Sequence, residues 1–260
     1  IRNEALHALQ VYNTTDPTYW NFPNKLQVKN LSNIDILNYH GYIFNQNAVF
    51  QVASQVNCLE FVDENVKPED GITDYFSDET QGPACALAAP AGTLYRNYFS
   101  MPGHTAQNIG NQINLLDELE NRIGNIVPGT TNKKYFNIKN GYIFMSHAQQ
   151  REFGNLLNDP NYQGANYYTN LVDHIKIGIQ ENTEVLTCGS QRDLKFFKYE
   201  NDESKKFNVS QVFCGALNLR SPRNNFDPHN PENIKWFCKS LLFAYYEATL
   251  WFGIINAVKY

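Results

Sequence analysis

Three aspartates, Asp70, Asp74 and Asp78, recur every fourth residue in a segment that Gly71 keeps from being a plain helix. Crowded carboxylates raise one another's pKa, so one holds a proton while another orients water or polarises a sugar hydroxyl; such pairs suit glycosidic chemistry. The three lie in an acidic loop over 63–79 that also carries Asp63, Glu64, Glu69 and Glu79. The same residues have a purely architectural alternative, in which Asp70 caps a turn at Gly71 and Asp78 caps the helix that follows. Cys85 is a second candidate: a thiolate in the first turn of a helix is stabilised by the dipole, and Gln81 would serve as an oxyanion donor. Its alanine neighbours favour a buried, helix-packing cysteine instead. The histidines show no HxxxH, HxH or HExxH spacing, and neither GxGxxG nor GxxxxGK followed by Ser or Thr occurs. The expectation is therefore no metal centre, no cofactor and no standard dinucleotide or nucleoside triphosphate cradle.

Positioning these groups falls to the elements on either side. Ala48–Ala53 is an apolar run of strand length, followed by polar Ser54, Gln55 and Asn57 where ligands of open α/β sheets sit. Beyond the acidic loop, Thr80–Ala89 reads as a helix capped by Thr80 or Asp78 with Pro83 in its first turn, a loop-to-helix start of the anion-binding kind. Helical spacing is expected over Ile1–Gln10, Gln107–Ile123 and Ser146–Leu157. Glu184–Cys188 reads as a strand, Leu194–Tyr199 as an edge strand, and Val209–Leu219 as a strand with its loop. Ile234–Lys259 is a long apolar helix or helix pair, with Leu241, Leu242, Tyr245, Leu250 and Phe252 towards the core. Gly41–Phe44 recurs as Gly141–Phe144, but the flanks share too little for a duplication. Strands mixed with helices throughout argue for one α/β domain, and no linker is long or polar enough to divide it.

Across 260 residues, 26 acidic side chains outnumber 21 basic ones for a net charge of −5, which disfavours a nucleic acid polymer as partner. No apolar run reaches the roughly 18–20 residues needed to cross a bilayer, so no membrane partner is expected. Five cysteines without a CxxC pair fit reduced thiols, and without a signal peptide the expected compartment is the cytoplasm. Because the chain starts at Ile1, residues 1–39 read as a helix and extended lead-in from a longer parent, and 40–260 as the functional domain.

Three segments taken together resemble the MavL-like macrodomain family: Gln51–Glu60 (QVASQVNCLE), Pro68–Thr73 running on to Asp78–Ala86 (PEDGIT, DETQGPACA), and Ser210–Leu217 (SQVFCGAL). Tyr246–Leu250 extends the likeness to the last helix. The resemblance implies a macrodomain-like three-layer α/β/α sandwich with a mixed central sheet and additional helices, binding ADP-ribose at the strand ends. It implies hydrolysis of the N-glycosidic bond between the distal ribose and an arginine guanidinium, that is, removal of mono-ADP-ribose from protein by a monomeric, cofactor-free enzyme. Asp70 and Asp78 then become the principal carboxylates and Asp74 the next, with Glu79 and Asp193 as outside candidates. The ADP-ribose contacts fall to Gln55, Asn57, Thr80, Gln81, Gly82, Ala84, Gly215, Ala216 and Asn218. Ordinary macrodomains carry a glycine triplet in the first loop, and this chain does not. The rival readings are a reader that binds ADP-ribose without turnover and a Cys85-dependent thiol hydrolase.

Overall fold

A computed structural model describes residues 1–6, 27–78, 80–126, 133–159, 171–190, 193–198, 202–219, 226–227 and 229–259. Asp35 caps the short α1 (Ile36–His40) by accepting the Asn38 N–H at 3.0 Å. The chain then enters β1 (Val49–Ser54). After two 3₁₀ turns, Pro68–Asp70 and Thr73–Ser77, come α2 (Gln81–Ala88) and α3 (Pro90–Tyr98). Pro90 separates these helices, because it has no N–H to continue the first and suits the first turn of the second.

The middle of the chain adds α4 (Asp117–Ile126), the hairpin β2 (Asn137–Lys139) and β3 (Tyr142–Phe144), and α5 (His147–Asn158), which Ser146 caps in a reciprocal box with Gln149. The last part holds β4 (Gly178–Glu184), the pair β5 (Cys188–Ser190) and β6 (Asp193–Lys198), then β7 (Asn208–Gly215) and the long α6 (Glu232–Lys259).

The sheet runs β1-β7-β4. β1 lies parallel to β7, from Val49 opposite Ser210 to Ser54 opposite Gly215, and β4 lies antiparallel on the other side. The described architecture is therefore a mixed α/β fold with a small mixed sheet. As the middle strand, β7 is buried from Val209 to Gly215. β1 and β7 contribute Val52, Val212 and Phe213 to a core with Leu116, Leu119, Phe136, Phe153 and Phe237. Within it Phe153 packs edge-on to Phe237, and Phe136 stacks on Phe237 with centroids 5.0 and 5.3 Å apart respectively.

Several sequence expectations need correcting. The strand expected over Glu184–Cys188 belongs instead to Gly178–Glu184, a polar stretch at the sheet edge whose composition hides it. Val185 and Leu186 are buried as a connection, their N–H groups donating to the carbonyls of Phe207 and Ala88. Helix over Gln107–Ile123 is confined to α4; before it, Asn108 and Asn111 bridge across Gly110, and Ile109 is 63% exposed. On α6, Leu241, Tyr245 and Phe252 face the core, whereas Leu250 falls on the opposite side of a 3.6-residue period and Leu242 at the edge of the buried stripe, and both are exposed. The N-terminal helix is seen over 2–6, while 7–10, like Glu79 and Tyr199, lie outside the described residues.

Candidate functional site

At the end of β1 the chain makes a tight turn. The Cys58 N–H returns to the Gln55 carbonyl at 3.0 Å with Cys58 at φ 63°, and the Gln55 N–H reaches the Leu59 carbonyl at 3.1 Å. The polar residues expected to greet a ligand here are largely committed to that turn. Gln55 donates through Nε2 to the Phe61 carbonyl and Tyr142 Oη, and accepts the Phe61 N–H. Asn57 is fully buried, giving Nδ2–H to Gln112 Oε1 at 2.9 Å and taking the Leu59 N–H. Both residues therefore shape the loop and do not present free side chains to solvent.

The acidic loop follows the architectural alternative at Asp70 and departs from it at the start of α2, where neither Asp78 nor Thr80 makes a side-chain cap to the helix. Asp70 Oδ2 accepts the Lys67 N–H at 2.8 Å, closing the first 3₁₀ turn, and Gly71 leaves it at φ 80°. That positive φ and the three-residue turns break the register that would stack residues four apart. Asp74 sits exposed on the second turn, its carbonyl accepting the Ser77 hydroxyl. Asp78, half-buried, accepts both the N–H and the hydroxyl of Thr80 on Oδ1, at 2.8 and 2.6 Å. Among the described contacts none joins the three aspartates, so the expected crowding is not realised.

Behind this loop lies a buried polar cluster. Tyr75, 2% exposed, accepts the Glu60 N–H on Oη at 2.7 Å. Glu60 is itself 2% exposed, and its Oε2 presses on the first turn of α2, where a Cβ on Gly82 would stand 2.5 Å away. Burial pushes the Glu60 carboxyl well above the carboxylate range; Arg96 opposes this, and the negative charge of Asp78 adds to it. Arg96 reaches in from α3, donating from Nε to the Cys58 carbonyl at 3.0 Å and from Nη2 to Thr93 Oγ1 at 3.2 Å, with Cζ 3.8 Å above the Phe213 ring centre. Glu60 Oε1 and Arg96 Nη1, both buried, have no hydrogen-bond partner among the described residues.

Two further buried groups tie α2 to the sheet. Gln211 on β7 donates through Nε2 to the Cys85 carbonyl at 2.8 Å and to His40 Nε2 at 3.3 Å. His40 Nδ1–H is then the donor to the Ile36 carbonyl at 2.7 Å, and the ring stacks on Phe50. Burial lowers the His40 pKa to about 4, so the ring is neutral. Cys85 is 1% exposed, and burial, with Glu60 adding to it, raises its thiol pKa so that it stays protonated despite the hydrogen bond from Gln81. A protonated, enclosed thiol is a poor nucleophile, which weighs against the thiol-hydrolase reading.

The remaining predicted contacts gather at the ends of the two parallel strands. Gln81 Oε1 accepts the Ala53 N–H at 3.4 Å; Gly82 and Ala84 are buried beside it, and Thr80 is exposed. Gly215 is needed for close approach, since a Cβ there would stand 2.6 Å from the Val56 nitrogen. Ala216 and Asn218 lie exposed just past β7. Asp193 begins β6, opposite Ser190. Sequence reasoning passed over Glu60, Arg96, His40 and Gln211; only Glu60 left a signal, as the one charge in the apolar stretch from Cys58 to Val62. A surface cleft of about 450 Å³ lies elsewhere, lined among others by Arg2, Lys176, Glu247 and Trp251. Among the described residues no cluster of three His, Cys, Asp or Glu side chains is arranged to hold a metal, and no helix is long and apolar enough to cross a membrane. No protein-family model, curated protein or solved structure matches the chain.

Proposed function

We propose that the chain is a macrodomain-like hydrolase that removes mono-ADP-ribose from arginine side chains. The observation that carries this reading is the convergence of the three resembling segments. Ala53 and Ser54 of the first pair with Cys214 and Gly215 of the third, while Gly82 of the second packs on Ala53 and Glu60 of the first. Gln211 of the third bonds to Cys85 of the second. The Ala53, Gly82 and Gly215 contacts lie at the ends of the parallel strands, the place where open α/β sheets take their ligands, and the Gln211–Cys85 bond fixes α2 to the sheet behind them.

In this reading the start of α2 offers the N–H groups of Gln81 and Gly82, which have no carbonyl within the helix to bond, to the ribose and diphosphate. Asp78, the half-buried member of the three aspartates, is the principal carboxylate, with Asp70 and then Asp74 on the exposed rim. A carboxylate there stabilises the oxocarbenium character of the distal ribose and takes a proton from the attacking water as the C–N bond breaks. The guanidine leaves neutral with the bonding pair and takes up the proton that the carboxylate removed from water, which restores both the guanidinium and the carboxylate. The acidic rim attracts the cationic arginine side of the substrate. The enzyme works as a cytoplasmic monomer without a cofactor, and its sheet and helices form the three-layer sandwich of a macrodomain.

Incubation with an arginine-ADP-ribosylated peptide is expected to release ADP-ribose, and Asp78→Ala to slow that release by about 10²-fold or more while largely keeping affinity. No release at micromolar protein over hours sinks the hydrolase. The structural contacts that occupy Asp70 and Asp78 favour one rival, a reader, whose mark is ADP-ribose binding by calorimetry with no turnover.

A further inference from the structure

Two carboxyl groups bracket the first turn of α2. From outside, Asp78 Oδ1 holds the N–H and hydroxyl of Thr80. From inside, Glu60 Oε2 lies against Gly82, with the Ala53 carbonyl oxygen also only 2.7 Å from where a Cβ would stand. Glu60 is buried, and its second oxygen has no hydrogen-bond partner among the described residues.

The charged and titratable groups that feel Glu60 come from every element around it: Arg96 of α3, Cys85 of α2, Tyr75 and Asp78 of the acidic loop, Cys58 of its own turn, and Tyr142 of β3. Arg96 is the cation in this set, and among the described ion pairs none within 4 Å joins it to Glu60. A helix start carries partial positive charge. While Glu60 is neutral, that field is left for an anion arriving from outside. Once Glu60 ionises, it satisfies the field from within and repels the anion.

We propose that Glu60 is a positioning residue of the candidate site, its buried carboxyl bracing the first turn of α2 from within so that the N–H groups of that turn serve the diphosphate of ADP-ribose. The inference rests on the ADP-ribose reading above. It assigns Glu60 no contact with the substrate and no proton transfer in the reaction.

Calorimetry with ADP-ribose from pH 6 to pH 9, on the wild-type chain and on Glu60→Gln, tests it. At pH 6 Glu60→Gln, which has the same shape and no charge to gain, is expected to match the wild type within threefold, and the wild type to fall at least tenfold below it once rising pH ionises Glu60. A flat wild-type affinity, or an equal decline in both proteins, overturns the inference and leaves the function standing. A role in packing alone would shift affinity by the same factor at every pH, which also overturns it. Absence of ADP-ribose binding at any pH overturns the functional reading itself, and the inference with it. Should Glu60→Gln not fold, Gly82→Ala replaces it: by displacing the Glu60 carboxyl it is expected to weaken binding at pH 6 at least tenfold, and unchanged binding overturns the proposal.

Discussion

The acidic loop and the pocket behind it use the same functional group in opposite ways. Asp70 stands exposed and Asp78 half-buried, each with an oxygen held by a backbone N–H two or three residues away. Glu60 is enclosed, short of a partner on one oxygen, and balanced against an arginine that is itself buried. Surroundings set what a carboxyl can do: a solvated one is a cap or an ionised base, an enclosed one a store of electrostatic strain and a holder of a proton. The two settings meet at a single helical turn, which is why a change on either side should be felt at the same place.

Removing the counterweight should break the contrast most severely. Arg96→Met removes two buried hydrogen bonds from a charged donor, to the Cys58 carbonyl and to Thr93 Oγ1, and is expected to lower unfolding stability by about 3–5 kcal/mol in a denaturant titration at neutral pH. An effect below about 1 kcal/mol would mean that the guanidinium does not hold the cluster together.

The next largest effect is one of pH, and its sign differs between the buried groups. His40 has a folded pKa near 4 against an ordinary 6.5, so the unfolded chain binds a proton that the folded chain refuses; its contribution, about 3 kcal/mol in full, is present above pH 6.5 and lost as pH falls towards 4. Glu60 has a raised folded pKa, so its contribution is present below the unfolded carboxylate range and is lost as pH rises through the folded value. Melting curves should therefore show Glu60→Gln gaining on the wild type as pH increases. A gap between the two that is constant with pH contradicts the assignment.

On the surface side the effect should be smallest. Asp70→Ala removes one cap of a 3₁₀ turn and is expected to cost no more than about 1 kcal/mol of stability. If it instead matched Arg96→Met, the loop would be part of the core and not its cover.

How much of this was legible beforehand follows from where each signal resides. β1, β7, α2, α5 and α6 declared themselves because apolar runs, caps and Pro83 are local features. β4 did not, since GIQENTE takes its strand character from pairing with β7 and not from its own side chains. The aspartates were legible as a cluster, but spacing suggested stacking that Gly71 and the 3₁₀ turns undo. Arg96, His40 and Gln211 were illegible because each is defined by a partner far along the chain: Cys58 for Arg96, and Gln211 itself for His40. The architectural alternative was also on view in the sequence: the structure gives Asp70 its turn-closing contact, whereas Asp78 bonds Thr80 ahead of α2 and caps no N–H of the helix.

The parallel pairing of β1 with β7 also bears on how the molecule is made. Gln51 and Cys214, whose side chains meet at 3.5 Å, are 163 positions apart. Such a ribbon has no hairpin to nucleate it, and loop closure over that length must be completed before its contacts reward it. During synthesis the first strand and the acidic loop therefore emerge long before their partner strand, and wait with Val52 and Phe50 uncovered. The site at the strand ends is a late product of folding, assembled only after the chain has been made past Gly215, and any translation product that stops short of β7 lacks it altogether.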